Sequence, residues 1–327
     1  DYTVTFGYNK TGIMFYPGAS YSGIVEVINA GFVTDDILHR KVEGFGSIFT
    51  FDDKDVGRLL VRKPDSNKGT YGRTLIIAGS KNMGGAAILS ASAAYRSGTG
   101  LVKVLTHEVN KTALLCRMPE CLISTYLDNM PLAAELKADF EWAKSIAVGP
   151  GLSMNGVAAE ITRCVLERED KVRILDADAL NIIAAEHIDY KGSNEGKIII
   201  TPHIMEMSRL TGKTAADIKE HMIETAKEYA IQHSCICILK DARTVVTDGQ
   251  KVYINCTGND GMSTGGCGDV LTGLIAGMTA MGLDAFDAAC LSVYVHGKAG
   301  DYVAAGKGRA GMTAADISEA IAYVLKR

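Results

Sequence analysis

Residues 258–273 read G-N-D-G-M-S-T-G-G-C-G-D-V-L-T-G, and their reading decides the fold. An alternating run, Val252-Tyr253-Ile254-Asn255-Cys256, precedes them and predicts a strand. After them Val270, Leu271, Leu274, Ile275 and Met278 recur at helical spacing. A glycine-rich turn therefore feeds a helix, with Asp269 in or beside its first turn. Gly265, Gly266 and Gly268 lack the Cβ atoms that would keep a ligand off the main chain. The amides they expose, with those of the opening helix, converge on one point and carry partial positive charge. Such a place suits a phosphate or another developing anion. A carboxylate beside it repels a resting phosphate. It makes sense where the acid holds an attacking hydroxyl and the amides take the charge of a transferring phosphoryl group. The plainer alternative is a carboxylate that merely complements the helix dipole.

Upstream, near-continuous apolar runs at 74–78, 101–105, 146–148, 172–175, 197–200 and 235–239 predict buried parallel strands. Helical patterns lie between them, at 86–96, 131–143, 155–168, 178–186 and 214–232. The expected class is α/β, with a mostly parallel central sheet covered by helices on both faces. Asp248-Gly249 between two short apolar runs predicts a hairpin, and residues 269–326 read as mostly helical. Ligands in such sheets bind beyond the carboxyl ends of strands. Five strand ends there carry glycine, acid, histidine or lysine: residues 79–86, Gly149-Pro150-Gly151, Asp176-Ala177-Asp178, Thr201-Pro202-His203 and Lys240-Asp241-Ala242-Arg243-Thr244. With the anion loop they make a cleft. Asp178 is read as the cap of the following helix and Asp176 as a polar contact in the cleft, in preference to an acidic metal pair. His203 is either a ligand contact or a helix-start residue. Lys240 either meets a nucleotide or snorkels to solvent.

Composition narrows the partners. The 327 residues carry a formal net charge of −4, which offers no basic footprint for nucleic acid. No apolar run approaches the ~18 residues that span a bilayer. Eight cysteines occur without a C-x-x-C pair, as expected of reduced thiols in a cytoplasmic protein. Gly306-Lys-Gly-Arg-Ala-Gly311 fits G-x-G-x-x-G but follows a helical pattern, so it is no dinucleotide fingerprint. Residues 1–50 differ in texture, with short strands at 2–6 and 23–28 that cannot bury a core of their own. Asp1 opens the chain in mid-strand by pattern, so a fragment or processed form is expected. The expected division is a β-rich appendage and linker over 1–50 and a catalytic domain over 51–327.

Taken together in order, Y-G-R-T-L-I-I-A-G-S-K-N-M-G-G-A-A from Tyr71, Gly149-Pro-Gly-Leu152, Asp176-Ala-Asp-Ala-Leu180, Thr201-Pro-His203, Glu206-Met207 and residues 259–277 resemble the NAD(P)H-hydrate dehydratase family. The resemblance covers about 55–327 and implies a ribokinase-like fold. Residues 1–32 look like the last strands of an NAD(P)H-hydrate epimerase domain. The reaction it implies is repair of the S epimer of hydrated NADH or NADPH (NADHX or NADPHX). A nucleotide phosphorylates the C6 hydroxyl and phosphate is then eliminated. By carry-over Asp269 is the base, its proton affinity expected to be low at a helix N-terminus, and the amides of Gly266, Cys267 and Gly268 take the phosphoryl charge. Ala86, Gly151, His203 and Asp269 would contact the hydrate; Lys240, Asp241, Ala242, Arg243, Thr244 and Gly268 would hold the nucleotide. ADP is the donor expected for bacterial members and ATP for eukaryotic ones, with Mg2+ held by phosphates and water and no protein metal ligands. A homo-oligomer is expected because family members often assemble. Asp241, Cys267, Met205 and Ser153 depart from the family pattern, which has glycine at three of these positions and commonly threonine at 267. A small-molecule kinase of the same fold, acting on a hydroxymethylpyrimidine or a sugar, and a nucleotide sensor without turnover are the alternatives.

Overall fold

The computed structural model describes residues 1–31, 48–128, 133–193 and 197–326. The rest of the expected linker, 32–47, and the first two residues of the helical pattern at 131–143 lie outside them. Strands follow the chain as β1 (Tyr2–Phe6), β2 (Ile24–Ile28), β3 (Ile48–Phe49), β4 (Arg73–Ile77), β5 (Leu101–His107), β6 (Leu122–Tyr126) and β7 (Ser145–Val148). Then come β8 (Val172–Leu175), β9 (Ile198–Ile200), β10 (Ile236–Leu239), β11 (Val245–Thr247) and β12 (Val252–Ile254). Ten of them form one sheet in the order β3-β12-β11-β10-β9-β8-β7-β4-β5-β6. Only β11 runs against its neighbours, as the Asp248-Gly249 hairpin requires.

The strands are apolar on both faces, yet period two still sorts their side chains. Ile76, Ala147, Ile174, Ile199 and Ile238 join one core, packed under the helices Gly84–Arg96, Cys267–Ala280, Ala285–Lys307 and Ala314–Val324. Ile77, Val148, Leu175, Ile200 and Leu239 join the other, under Gly156–Leu166, Asp178–Glu186, Ile204–Thr211 and Met222–His233. The helices Gly84–Arg96 and Cys267–Ala280 touch backbone to backbone. A Cβ at Gly273 would overlap the Ser90 carbonyl, and one at Gly277 would overlap the Ser97 hydroxyl. Small residues are thus a condition of this contact. Every residue from Val270 to Ala280 is buried, so the helix that begins at the anion loop is also the centre of a core.

Several elements depart from the sequence expectation. The pattern at 214–232 is two helices, Ala215–Glu220 and Met222–His233, which meet at His221. The strand Leu122–Tyr126 was not anticipated, and the helix Ile204–Thr211 was expected only as one of two readings of His203, as a helix-start residue. β3 pairs with β12 and the Phe49 ring meets that of Tyr253 at a tilt, centroids 5.8 Å apart, so the sheet reaches back to Ile48. The appendage is a parallel β1–β2 pair with two short helices; Phe6, Ile24 and Val27 stay exposed. It docks through Met14, which is buried in the second core and whose carbonyl accepts from Arg243 Nε at 3.1 Å. Among the described residues no helix is long and apolar enough to cross a membrane.

Candidate active site

The anion loop leaves β12 and is tied to the long helix Ala285–Lys307. Gly258 N–H and Asn259 Nδ2 both donate to the Asp301 carboxylate at 2.9 Å, and Thr257 Oγ1 donates to the Tyr294 carbonyl at 3.0 Å. Gly266 takes φ +92°, open to glycine at little cost, and ends the loop as the N-cap of the helix. Cys267 N–H is directed at the Thr264 carbonyl, 3.4 Å away. Among the described residues, the amides of Gly266, Gly268 and Asp269 meet no acceptor in the protein. The expected set of three amides is therefore corrected at its middle member: Cys267 is partly engaged, and the open donors are its neighbours. Burial raises the proton affinity of the Cys267 thiol, so it stays protonated.

Asp269 accepts no side-chain hydrogen bond among the described residues, while its carbonyl accepts from Ser90 Oγ at 2.9 Å. Burial, then the charge of Asp176, push its carboxyl up to about 7; Lys240 offsets part of this and Asp178 adds to it. This overturns the expectation of a depressed value. The helix N-terminus supplies ~0.5 kcal/mol toward the charged form, and desolvation by the surrounding core outweighs it. A carboxylate poised near neutrality is a better base than one near 3.

Asp176 is buried at the end of β8. Its Oδ1 accepts from Lys240 Nζ at 2.8 Å and its Oδ2 from Thr272 Oγ1 at 2.6 Å. Burial alone would raise its proton affinity; Lys240, with hydrogen bonds from Lys240, Thr272 and Thr201, wins and holds it below the usual carboxylate range. Burial works against the Lys240 ammonium too, and Asp176 and Glu206 more than restore it. Lys240 thus points inward to an ion pair rather than snorkelling outward. His203 caps the helix Ile204–Thr211: its Nδ1 accepts from Met205 and Glu206 N–H at 3.0 and 3.2 Å, and the Glu206 carboxylate accepts from His203 N–H at 2.8 Å. Burial and then Lys240 lower its proton affinity, so it is a neutral ring with its remaining proton on Nε2. A β-bridge sets His203 beside Lys240.

On the other flank, Ser80 N–H donates to the Gly151 carbonyl at 2.6 Å and Gly79 N–H to Pro150 at 2.9 Å. Gly151 sits against Ala86, since a Cβ there would come within 2.9 Å of the alanine's. Asn110, which the sequence reading passed over, spans Gly79 O at 3.3 Å, Ser80 O at 3.1 Å and Thr106 Oγ1 at 3.0 Å. His296 was also missed. Burial drives its value down to about 4, so it stays neutral, and its buried Nε2 meets no partner among the described residues. Neither carries a local motif. Of the expected nucleotide residues, Asp241 and Ala242 are exposed, Thr244 Oγ1 donates to Asp241 O at 3.2 Å, and Arg243 turns to the appendage.

The expectation that Asp178 caps its helix is corrected: it is the first helical residue after Ala177, and it accepts from Ser153 N–H at 2.7 Å. Ser153 holds φ +69°, and its buried hydroxyl has no partner among the described residues. A family glycine at this place has a physical reason. Ser153→Gly should stabilise the fold by ~1 kcal/mol, through release of the left-handed strain and loss of an unpartnered hydroxyl. The gain is read as a higher Tm; an unchanged or lower Tm would refute it.

Among the described residues no group of three or more histidine, cysteine, aspartate or glutamate side chains is arranged to hold a metal. Both Asp176 oxygens are committed to Lys240 and Thr272. A divalent ion arriving here fits as part of a nucleotide's phosphate shell, not in a protein cage.

The sheet order, the glycine-lined carboxyl edge and the helix-borne aspartate define a ribokinase-like α/β protein. A family model described as NAD(P)H-hydrate dehydratase matches residues 74–323, and the chain belongs to that family. It is 37% identical over 334 residues to a bifunctional NAD(P)H-hydrate repair enzyme of Moorella thermoacetica, which covers 99% of this chain. The chain spans 62% of the length of that relative. Among solved structures, a ribokinase-like superfamily protein of Enterococcus faecalis aligns with TM-score 0.78 at 27% identity, over 86% of this chain and 96% of its own. The ADP/ATP-dependent NAD(P)H-hydrate dehydratase of Bacillus subtilis, co-crystallised with ATP/Mg2+, aligns with TM-score 0.73 at 30% identity, over 84% and 96%.

Proposed function

We propose that the chain dehydrates the S epimer of hydrated NADH or NADPH at the expense of a nucleotide, ADP giving AMP or ATP giving ADP. The observation that carries the reading is the Asp269 carboxylate set in the first helical turn beside open main-chain amides. Asp269 takes the proton of the C6 hydroxyl as its oxygen bonds to the terminal phosphorus and the P–O bond to the departing nucleotide breaks. The Gly266 and Gly268 amides receive the charge on the transferring group. Phosphate then leaves with the C6–O electron pair as C5 loses a proton, which restores the dihydropyridine. Ala86, Gly151 and His203 bind the hydrate, His203 as a neutral donor, while Lys240 and residues 241–244 with Gly268 hold the nucleotide. Mg2+ accompanies the nucleotide and neutralises phosphate charge.

Residues 1–32 are proposed to be the end of an epimerase-type domain, supported by a match to bifunctional relatives that runs over nearly the whole chain. The cysteines of the described chain are all free, which supports a reducing, cytoplasmic setting. A homo-oligomer is proposed on family grounds alone.

The test is incubation with the S hydrate of NADH and either ADP or ATP, following reduced-nicotinamide absorbance and inorganic phosphate. Both should rise together. A stable phosphate ester, or nucleotide binding with no absorbance change, would replace this reading with a kinase or a sensor.

A further inference from the structure

Asp176 has no part in the steps above, yet it is the most firmly held carboxylate in the site. We propose that Asp176 is a positioning residue: it pins the Lys240 ammonium beneath the Gly268 turn, and from there the pair helps set when Asp269 carries a proton. The inference deepens the dehydratase reading and rests on it.

Geometry carries the argument. Asp176 takes Lys240 on one oxygen at 2.8 Å and Thr272 on the other at 2.6 Å. Thr272 stands three residues beyond Asp269, on the same side of the same helix, so the hydroxyl ties the Asp176–Lys240 pair to the base at a fixed offset. Gly268 closes the arrangement. A Cβ there would lie in ordinary contact, 3.5 Å from Lys240 Nζ and 3.9 Å from Asp176 Oδ2, which sets the ion pair directly against the turn that carries Asp269. As a stabilising device this arrangement is poor, because desolvating two charges offsets most of their attraction. Its worth lies in charge control. Three carboxylates, Asp176, Glu206 and Asp269, share the Lys240 ammonium, and a nucleotide would add further negative charge. The groups facing Asp269 are Asp176 and Asp178 from the β8 turn, Lys240 from the end of β10, and Cys267 in its own turn.

Such a role leaves a signature that packing alone does not. Asp176→Asn deletes a negative charge and frees the ammonium toward Asp269, so the acid limb of kcat/KM should move down by about one pH unit. Lys240→Met should move it up by a similar amount. Thr272→Val, which changes no charge, should move it by less than half of that; Lys240→Arg, which keeps the charge, should restore the wild-type limb. Opposite displacements support the proposal. Limbs that stay put, or move the same way, overturn it even where kcat falls. If the unaltered protein restores no reduced nicotinamide at all, the dehydratase reading fails instead. The proposal is then still decided by carbon-13 titration of labelled aspartate carboxyls, which reads the same displacements without turnover. Should Lys240→Met not fold, Asp176→Asn and Thr272→Val decide the matter by the sign and size of the first shift relative to the second.

Discussion

Asp269→Asn should lose about three orders of magnitude in kcat and at the same time melt at a higher temperature than the parent above pH 7. Nucleotide affinity, measured by calorimetry, should stay within a few-fold, because the open amides and Lys240 are untouched. Both effects follow from one fact, the placement of a carboxyl where its charge is poorly solvated. In the fold its value is about 7, against 3.8 for an ordinary aspartate. A carboxyl raised in this way gives its full stabilisation below about pH 4 and loses it as pH climbs through 7. At pH 8 the parent therefore bears an unfavourable buried charge, worth ~2 kcal/mol once partial exposure is allowed for, which asparagine removes. Loss of the dipole interaction gives back ~0.5 kcal/mol. Melting curves at pH 4 and pH 8 check this: the advantage should be present at pH 8 and vanish at pH 4. Wild-type turnover in the variant would end the assignment of Asp269 as base. A lower melting temperature at pH 8 would show that the charge is not the burden described. In the unaltered enzyme the same proton puts a limb near pH 7 on kcat/KM, with activity lost below it.

Gly149→Ala is expected to do damage of another kind. The residue sits just past β7 at φ +126°, which alanine adopts only with strain, and its Cβ would overlap the Asp176 carbonyl and crowd Ala179. Neither neighbour is a flexible side-chain end. The loss should exceed ~4 kcal/mol, read as a large drop in urea midpoint or as failure to accumulate folded protein. Folded material that does form should have a displaced Asp176 and reduced activity. A midpoint equal to the parent's would mean that the β7 and β8 turns are looser than their contacts imply.

The sheet and the anion loop were legible because both are local matters. Apolar runs of strand length, a strand feeding glycines, and an apolar helix beyond them are all read within about twenty residues of chain. The three-residue strand at 198–200 and the seven-residue strand at 101–107 emerged from the same signal. The helix Ile204–Thr211 was legible only as one reading of His203, because histidine lies outside the usual capping set of serine, threonine, aspartate and asparagine. The site's charge arrangement was beyond reach for a different reason. Lys240 and Asp176 are 64 residues apart and Thr272 and Asp176 are 96 apart, and no spacing rule joins them. The value of Asp269 was misjudged since the helix dipole is visible in sequence and desolvation is not. Asn110 and His296 act by packing under loops that other segments build, so nothing near them announces a role. Arg243 stands in the segment expected to hold nucleotide, and its partner, the Met14 carbonyl, is 229 residues away.

The helix that begins at Cys267 is buried from Val270 onward. The reacting turn is therefore welded to the part of the molecule that opens last, and its lifetime is that of the folded state itself. Amide hydrogens from 271 to 280 should exchange only through global unfolding. Partial denaturation should strip the appendage and outer loops before it silences the base.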